Sequence, residues 1–122
     1  MITFTIHGEA ASKSNSPKLS TYRSKSGRIV PKLSSSDEAK LFKGACARFT
    51  PILSEPWTCD VIVTCVIYYQ SRRRDLDASL VYDGMQKKVI RNDRQIKTQH
   101  TYWALDPDHP RVEVKVEPWE GP

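Results

Sequence analysis

The residues best suited to chemistry lie in one stretch of the sequence, residues 71 to 96. It contains the segment Arg-Arg-Arg-Asp-Leu-Asp, in which Asp75 and Asp77 are two positions apart. On an extended backbone such side chains point to the same side, and carboxylate oxygens are hard ligands suited to Mg²⁺ or Mn²⁺. A third carboxylate, Asp93, comes after a short helical stretch, where the next strand starts. Since a strand-helix-strand excursion can return the chain beside its starting point, we expect the three aspartates to form one metal-binding group.

Phosphodiester hydrolysis uses such a group of carboxylates. A divalent ion held by them lowers the pKa of a bound water and neutralises charge that develops on the phosphate. Because clustered carboxylates repel the DNA backbone, basic residues must surround them. Basic residues do flank the aspartates in this sequence: Arg72, Arg73, Arg74, Lys87, Lys88, Arg91 and Arg94. The pattern is typical of a metal-dependent nuclease.

Each aspartate also has a structural interpretation. Asp77 can serve as the N-cap of the helix that follows, a position where aspartate is preferred. Asp75 can pair with a neighbouring arginine, and Asn92-Asp93 is a common turn sequence. The residue types alone leave the catalytic and the structural interpretations open.

Composition excludes several other classes of protein. The chain has 122 residues, of which 39% are hydrophobic and 27% charged, enough for one domain with a modest core. Its net charge of +5 favours an acidic partner such as nucleic acid. Three scattered cysteines form neither a disulfide framework nor a zinc site, and no apolar run approaches the roughly 20 residues of a membrane span. We expect a cytoplasmic protein that is not secreted, has no contact with a membrane and needs no small-molecule cofactor.

The positive charge is concentrated between residues 11 and 36. This segment contains no acidic residue, many serines and few large apolar residues. It predicts a long mobile loop, and its turn residues are compatible with a short hairpin around Ser26-Gly27. Its lysines are candidate phosphate contacts: Lys13, Lys18, Lys25 and Lys32.

The remaining chain predicts an α+β fold with a mixed sheet of about four strands and two helices. Alternating residues predict a strand at Ile2–Ile6 and another at Val112–Val116, and residues 57–69 and 94–105 predict two more. A capping-box spacing at Ser35 and Glu38 predicts a helix ending before Pro51, and Asp77 begins a second one running to about Lys88. The apolar residues on both faces of 57–69 predict a central strand covered on two sides. Leu76 is expected to anchor the following turn in the core. The aromatic residues of the sheet are expected to serve as core or dimer contacts, with stacking on exposed DNA bases as the alternative: Tyr68, Tyr69, Tyr102 and Trp103.

The chain also resembles a known family over most of its length, from about Met1 to Val116. The segments Arg-Arg-Arg-Asp-Leu-Asp and Val-Ile-Arg-Asn-Asp-Arg-Gln-Ile, and the weaker Gly-Glu-Ala-Ala-Ser-Lys-Ser-Asn, are similar to the RusA family of Holliday junction resolvases. The resemblance implies a single RusA-like domain over 1–122 that forms a homodimer in phage-infected or bacterial cells. It implies Mg²⁺-dependent, paired and symmetric cutting of four-way DNA junctions in recombination and repair, with Asp75, Asp77 and Asp93 as catalytic residues.

Some positions depart from the family pattern. Ala78 stands where the family has Asn, Asn92-Asp93 replaces an acidic pair, and a lysine expected near the start of the helix has no equivalent. These departures leave an alternative, a DNA-junction-binding module of the same fold without catalysis. A third interpretation is a protein-interaction domain whose basic segment binds an acidic partner.

Overall fold

In the computed structural model of the chain, residues 1–12, 18–23, 29–34 and 37–122 are described, and residues 18–23 and 29–34 are described for the backbone alone. Three strands precede the first helix, one strand separates the two helices, and a short 3₁₀ turn, Asp93–Gln95, precedes the fifth strand. The elements in chain order are β1 (Ile2–His7), β2 (Lys18–Arg23), β3 (Ile29–Ser34), α1 (Asp37–Phe49), β4 (Val61–Tyr69), α2 (Ser79–Met85), β5 (Ile96–Leu105) and β6 (Arg111–Pro118).

Four of these strands form a mixed sheet in the order β1-β6-β4-β5. Both β1 and β4 pair antiparallel with β6, and β5 pairs parallel with β4. Therefore β1, β4 and β5 run in one direction and β6 runs in the other. The described part of the chain is thus a small α+β domain with a four-stranded mixed sheet and two helices, as the sequence predicts.

The segment between β1 and α1 is more regular than a loop. Its two strands pair antiparallel, with Lys18 opposite Ser34 and Arg23 opposite Ile29, in a separate two-stranded sheet. The antiparallel pairing of β2 with β3 agrees with a hairpin in this segment, and the prediction of an irregular loop is wrong for these two strands. The turn itself lies outside the described residues, as do Lys13, Lys25 and the predicted cap Ser35.

The core lies between the sheet and the helices. Along β4, residues alternate strictly between buried and half-buried, and the buried set shares one apolar cluster with Phe42 of α1 and Val81 of α2. Among the described residues both helices contribute to the cluster on this face, so the prediction of a strand covered on two sides is wrong. In α1 the buried residues recur at helical spacing, Ala39, Phe42 and Cys46, whereas Leu41 is 77% exposed.

The second helix is shorter than its sequence pattern predicts. It ends at Met85, because Gln86 is extended and Lys87 has a positive φ of 67°. The chain then closes a tight turn in which the N–H groups of Val89 and Ile90 both donate to the carbonyl of Met85. Within the described residues, no helix is both long and apolar enough to cross a bilayer.

Candidate functional site

The direction of the strands decides which loops meet. Because β1, β4 and β5 run in the same direction, the segments that follow them lie at one edge of the sheet. We call this the carboxyl edge and define it as residues 8–12, 70–78 and 106–110. The amino edge consists of residues 50–60 and 86–95, which precede β4 and β5. Asp75 and Asp77 belong to the carboxyl edge.

Two aromatic side chains hold the loop that carries the aspartates. The hydroxyl of Tyr69 donates to the carbonyl of Asp75 at 2.9 Å and accepts from the N–H of Asp77 at 3.3 Å. The indole N–H of Trp103 donates to the carbonyl of Arg74 at 3.3 Å. The rings of Tyr69 and Trp103 stack with their centroids 6.0 Å apart. The backbone from 74 to 77 is therefore fixed against the ends of β4 and β5.

Asp77 is held at both carboxylate oxygens. Its Oδ1 accepts from the backbone N–H and the hydroxyl of Ser79, at 2.9 and 2.6 Å, and its Oδ2 accepts from the hydroxyl of Ser12 at 2.8 Å. The contact with the N–H of Ser79 ties Asp77 to the first residue of α2, but the N-cap of α2 is Ala78, so the interpretation of Asp77 as the N-cap is wrong. The contacts also fix the direction in which its remaining lone pairs point, as donors in an outer shell do around metal-binding carboxylates.

Asp75 has a different environment. Its side chain is exposed and makes no hydrogen bond or ion pair within the described part of the chain. Leu76 is 43% exposed, so the expectation that it anchors the turn is wrong. The hydrogen bonds from Tyr69 anchor the turn instead. Asp75 is thus an open carboxylate on a fixed backbone.

The three arginines before Asp75 divide into two kinds. Arg74 forms a bidentate pair with Glu38, at 2.6 and 3.2 Å, and its Nε lies 3.1 Å from Glu9. The hydrogen bonds with Glu38 raise the pKa of Arg74 above its already high ordinary value. Arg72 and Arg73 are exposed and have no ion pair with any described residue. They are the cations of this edge that remain open to a phosphate.

Another carboxylate that contacts this loop, that of Glu9, was not among the sequence candidates. Glu9 follows β1, and its Oε2 accepts the N–H of Gln70 at 3.0 Å while Oε1 pairs with Arg74. Sequence offered one signal, since Glu9 comes just after a strand, as Asp75 does. Using that signal requires knowing that β1 and β4 end at the same edge.

Asp93 lies at the other edge. It begins the 3₁₀ turn before β5, whose first residue, Ile96, is paired with Val61 at the start of β4. The turn is tied to the amino edge by Gln95, whose side-chain amide donates to the carbonyls of Trp57 and Cys59. The nine residues of β4 span about 26 Å and separate the two edges.

The expected group of three aspartates therefore does not form within one chain. A helical connection between parallel strands returns the chain to the start of the next strand, not to the end of the previous one. No group of three or more His, Cys, Asp or Glu side chains that could hold a metal ion occurs in the described ranges. Asp75 and Asp77 lie together at the carboxyl edge, and Asp93 does not join them.

The remaining predicted cations are spread over several places. Lys87, Arg91 and Arg94 are exposed at the amino edge. The ammonium group of Lys88 donates to the carbonyl of Ala47 at 2.9 Å and thereby ties this edge to α1. Lys18 is a residue of β2, and Lys32 is a residue of β3.

The carboxylates of Asp75 and Asp77 at the carboxyl edge suit a hard divalent ion in their type and number. Mg²⁺ commonly binds one or two protein carboxylates and takes its other ligands from water and substrate phosphates. The exposed oxygens of Asp75 and the oriented carboxylate of Asp77 match that donor set in type and number. This edge therefore suits an ion whose coordination is completed by a substrate phosphate. It does not suit a closed site in which the protein supplies every ligand.

Comparison with models of protein families finds none that matches the chain, and comparison with curated proteins finds no significant relative.

Proposed function

We propose that this chain is a Mg²⁺-dependent endonuclease of the RusA type that cuts four-way DNA junctions, with Mn²⁺ as a substitute ion. One observation carries the proposal: Asp75, an open carboxylate, and Asp77, an oriented one, follow directly along the chain from Arg72 and Arg73, whose exposed side chains form no ion pair within the described residues. Carboxylates that can hold a cation and arginines that can hold phosphates are the two components that such a reaction needs.

In this proposal the residues of the carboxyl edge have different roles in the reaction. Arg72 and Arg73 bind phosphates on either side of the bond to be cut. Asp75 and Asp77 would hold Mg²⁺, which when bound lowers the pKa of a water and offsets charge on the phosphate. Ser12 and Ser79 orient Asp77 through their hydroxyls, and Tyr69 holds the backbone beneath both aspartates.

Arg74 has a separate role in this proposal. Its charge is balanced by Glu9 and Glu38, so it stabilises the edge rather than binding the substrate. The two carboxylates that it pairs would otherwise repel the DNA backbone. A four-way junction has two equivalent strands to cut, and a homodimer with a two-fold axis would supply two equivalent sites.

A second candidate is a junction-binding module without catalysis. It is favoured by the position of Asp93 at the amino edge, which leaves the pair without its expected third ligand. Such a module would bind DNA through the same arginines, and its affinity would fall with salt.

A synthetic four-way junction, end-labelled and incubated with and without Mg²⁺, decides between the candidates. A linear duplex with the sequence of one junction arm is the matched control. Cleavage of the junction alone, abolished by EDTA, supports the endonuclease. Binding without cleavage in Mg²⁺ or Mn²⁺ supports the module, and failure to retain either DNA at low salt favours the protein-interaction domain.

A further inference from the structure

Trp103 is an aromatic residue that is both fixed in position and open to solvent. Its indole N–H donates to the carbonyl of Arg74 at 3.3 Å, and its ring stacks on that of Tyr69. Tyr69 is 2% exposed, so the indole rests on a core residue, yet 38% of Trp103 is exposed. A ring that is already held in one orientation can receive a ligand with little further loss of conformational freedom.

Two further exposed apolar residues belong to the same part of the fold. Leu105 lies two residues after Trp103, and therefore on the same face of β5, opposite Tyr69 of β4. Leu76 lies two residues after the carbonyl that the indole binds. Within the described residues β5 pairs with β4 on one side only, so Trp103 and Leu105 lie at an open edge of the sheet. Exposed apolar residues grouped in this way indicate a binding surface.

The charges next to Trp103 favour DNA as the occupant of this surface. Arg72 and Arg73 directly precede Arg74 in the chain, and their exposed side chains have no ion pair within the described residues. The indole is therefore bound to the same short loop that carries two open cations and, at Asp75, an open carboxylate. A DNA strand offers phosphates to the cations and a flat apolar base to the ring.

The base that meets the ring must be unstacked. In a continuous duplex each base is covered by its neighbours, whereas at a four-way junction the stacking is interrupted where the strands exchange. A base at that point leaves the helix at a lower cost. Stacking on an aromatic side chain depends little on which base is stacked. An indole at this place therefore recognises a branch rather than a sequence.

We propose that Trp103 stacks on an unstacked base at the branch point and thereby makes the chain select junctions over continuous duplex. The indole also holds the carbonyl of Arg74, so the stacked base is positioned relative to the backbone that leads into Asp75. The phosphate next to that base is thereby brought to the carboxyl edge. This role rests on the proposed function in requiring DNA at that edge, but it does not require cleavage.

Binding without cleavage tests this selection first. Fluorescence anisotropy in EDTA compares a synthetic four-way junction with a linear duplex that has the sequence of one arm. Trp103→Leu, which keeps an apolar side chain but removes the aromatic ring, should weaken junction binding by about 5- to 100-fold and change duplex binding by less than about 2-fold. Trp103→Phe, which keeps a ring but loses the N–H, should retain most of the preference for the junction.

Tyr102→Ala is the matched control. Tyr102 is 55% exposed, more than Trp103, but as the neighbouring residue of β5 it lies on the opposite face of the sheet. This variant should bind both DNAs as the wild-type chain does. Equal weakening of junction and duplex by Trp103→Leu, a Trp103→Phe variant as weak as Trp103→Leu, or an equal effect of Tyr102→Ala would each overturn the stacking role.

Photocross-linking tests the contact directly. Iododeoxyuridine is placed at a single nucleotide beside the branch point, and long-wavelength light then joins it to an aromatic side chain on which it is stacked. Peptide mapping should locate the adduct at Trp103. A junction that carries the same nucleotide in the middle of an arm should give no adduct at this residue. An adduct at Tyr102 instead, or none at Trp103, would overturn the contact.

The stacking role and the proposed function fail in different ways. A wild-type chain that prefers the junction and cross-links at Trp103, but cuts no DNA in Mg²⁺ or Mn²⁺, refutes the endonuclease and supports the stacking role. A chain that cuts junctions while Trp103→Leu keeps the full preference refutes the stacking role alone. Failure of the wild-type chain to retain either DNA at low salt overturns both.

Sedimentation equilibrium of the free chain tests whether a second copy is the occupant instead. Trp103→Leu should leave the mass unchanged. If this variant changes the mass of the free chain but not its preference for the junction, the surface is covered by protein and the stacking role is overturned.

Discussion

The hydroxyl of Tyr69, the last residue of β4, donates a hydrogen bond to the backbone carbonyl of Asp75 at 2.9 Å. The same oxygen accepts from the N–H of Asp77, so one buried side chain fixes both aspartates through their backbone. The backbone position of the two aspartates is therefore set by a core residue at the end of β4.

Replacing this hydroxyl should loosen the loop without disturbing the core. Tyr69→Phe removes two hydrogen bonds and should lower the free energy of unfolding by about 1 kcal/mol. Urea denaturation measures the change. Tyr68→Phe is the control, since the Tyr68 hydroxyl has no hydrogen-bond partner in the described residues, and its ring stays under Arg111. Equal effects of the two variants would contradict this account of the loop.

Neutralising Asp75 should separate binding from cleavage. Asp75→Asn removes an exposed negative charge beside the phosphate-binding arginines, so junction affinity should be unchanged or higher while Mg²⁺-dependent cleavage is lost. Gel-shift and cleavage assays on one junction measure the two effects. Asp108→Asn, which changes another exposed carboxylate of the carboxyl edge, should retain cleavage. Full activity of Asp75→Asn would remove Asp75 from the reaction.

The three consecutive arginines should contribute unequally to DNA binding. Arg72→Ala and Arg73→Ala should each reduce the slope of log affinity against log salt concentration by about 1. Arg74→Ala should change the slope less, because Glu9 and Glu38 already balance its charge. Fluorescence anisotropy at several salt concentrations provides the slopes. Three equal reductions would show that the ion pairs of Arg74 open when DNA binds.

Two helical glycines should respond oppositely to alanine. A Cβ at Gly84 in α2 would lie 3.0 Å from the Cβ of Cys46, so Gly84→Ala should destabilise the fold by about 1 to 3 kcal/mol. A Cβ at Gly44 in α1 meets no described atom within 4 Å, and Gly44→Ala should stabilise by about 0.5 to 1 kcal/mol. Thermal denaturation distinguishes the two. Stabilisation by Gly84→Ala would show that α1 and α2 can move apart without loss.

Alkaline pH should destabilise the protein through its buried thiols. Burial raises the pKa of Cys46 and of Cys65 to about 12, above the value near 9 of an exposed thiol. The fold therefore favours the protonated thiols. Their contribution to stability is complete below about pH 8.5 and is lost as the pH rises towards 12.

Urea denaturation at pH 7.5 and 10.5 measures this loss. The stability of Cys65→Ala should fall less over this range than that of the wild-type chain, by about 2 kcal/mol. Cys59→Ala, which changes the exposed cysteine, should follow the wild type. If Cys65→Ala lost as much stability as the wild type, the buried thiol would not be the titrating group.

Local patterns in the sequence were sufficient to predict most of the strands and helices and part of the candidate site. Alternation predicted β1 and β6, helical spacing predicted α1, and the apolar run before Ser71 predicted β4. Asp75 and Asp77 lie together because they are neighbours along the chain, which requires no tertiary information. The exact ends were less predictable, because α2 ends at Met85, before the extended Gln86 and the positive φ of Lys87, rather than where its polar pattern changes.

The tertiary structure alone decided which distant residues meet. Asp93 is separated from Asp75, and Glu9 is brought into contact with Arg74, the residue before Asp75, because β1, β4 and β5 run in one direction. Periodicity reports which face of a strand is buried, but the same periodicity is compatible with either strand direction and with several strand orders. Pairing between distant strands fixes both, and with them which carboxylates share an edge of the sheet.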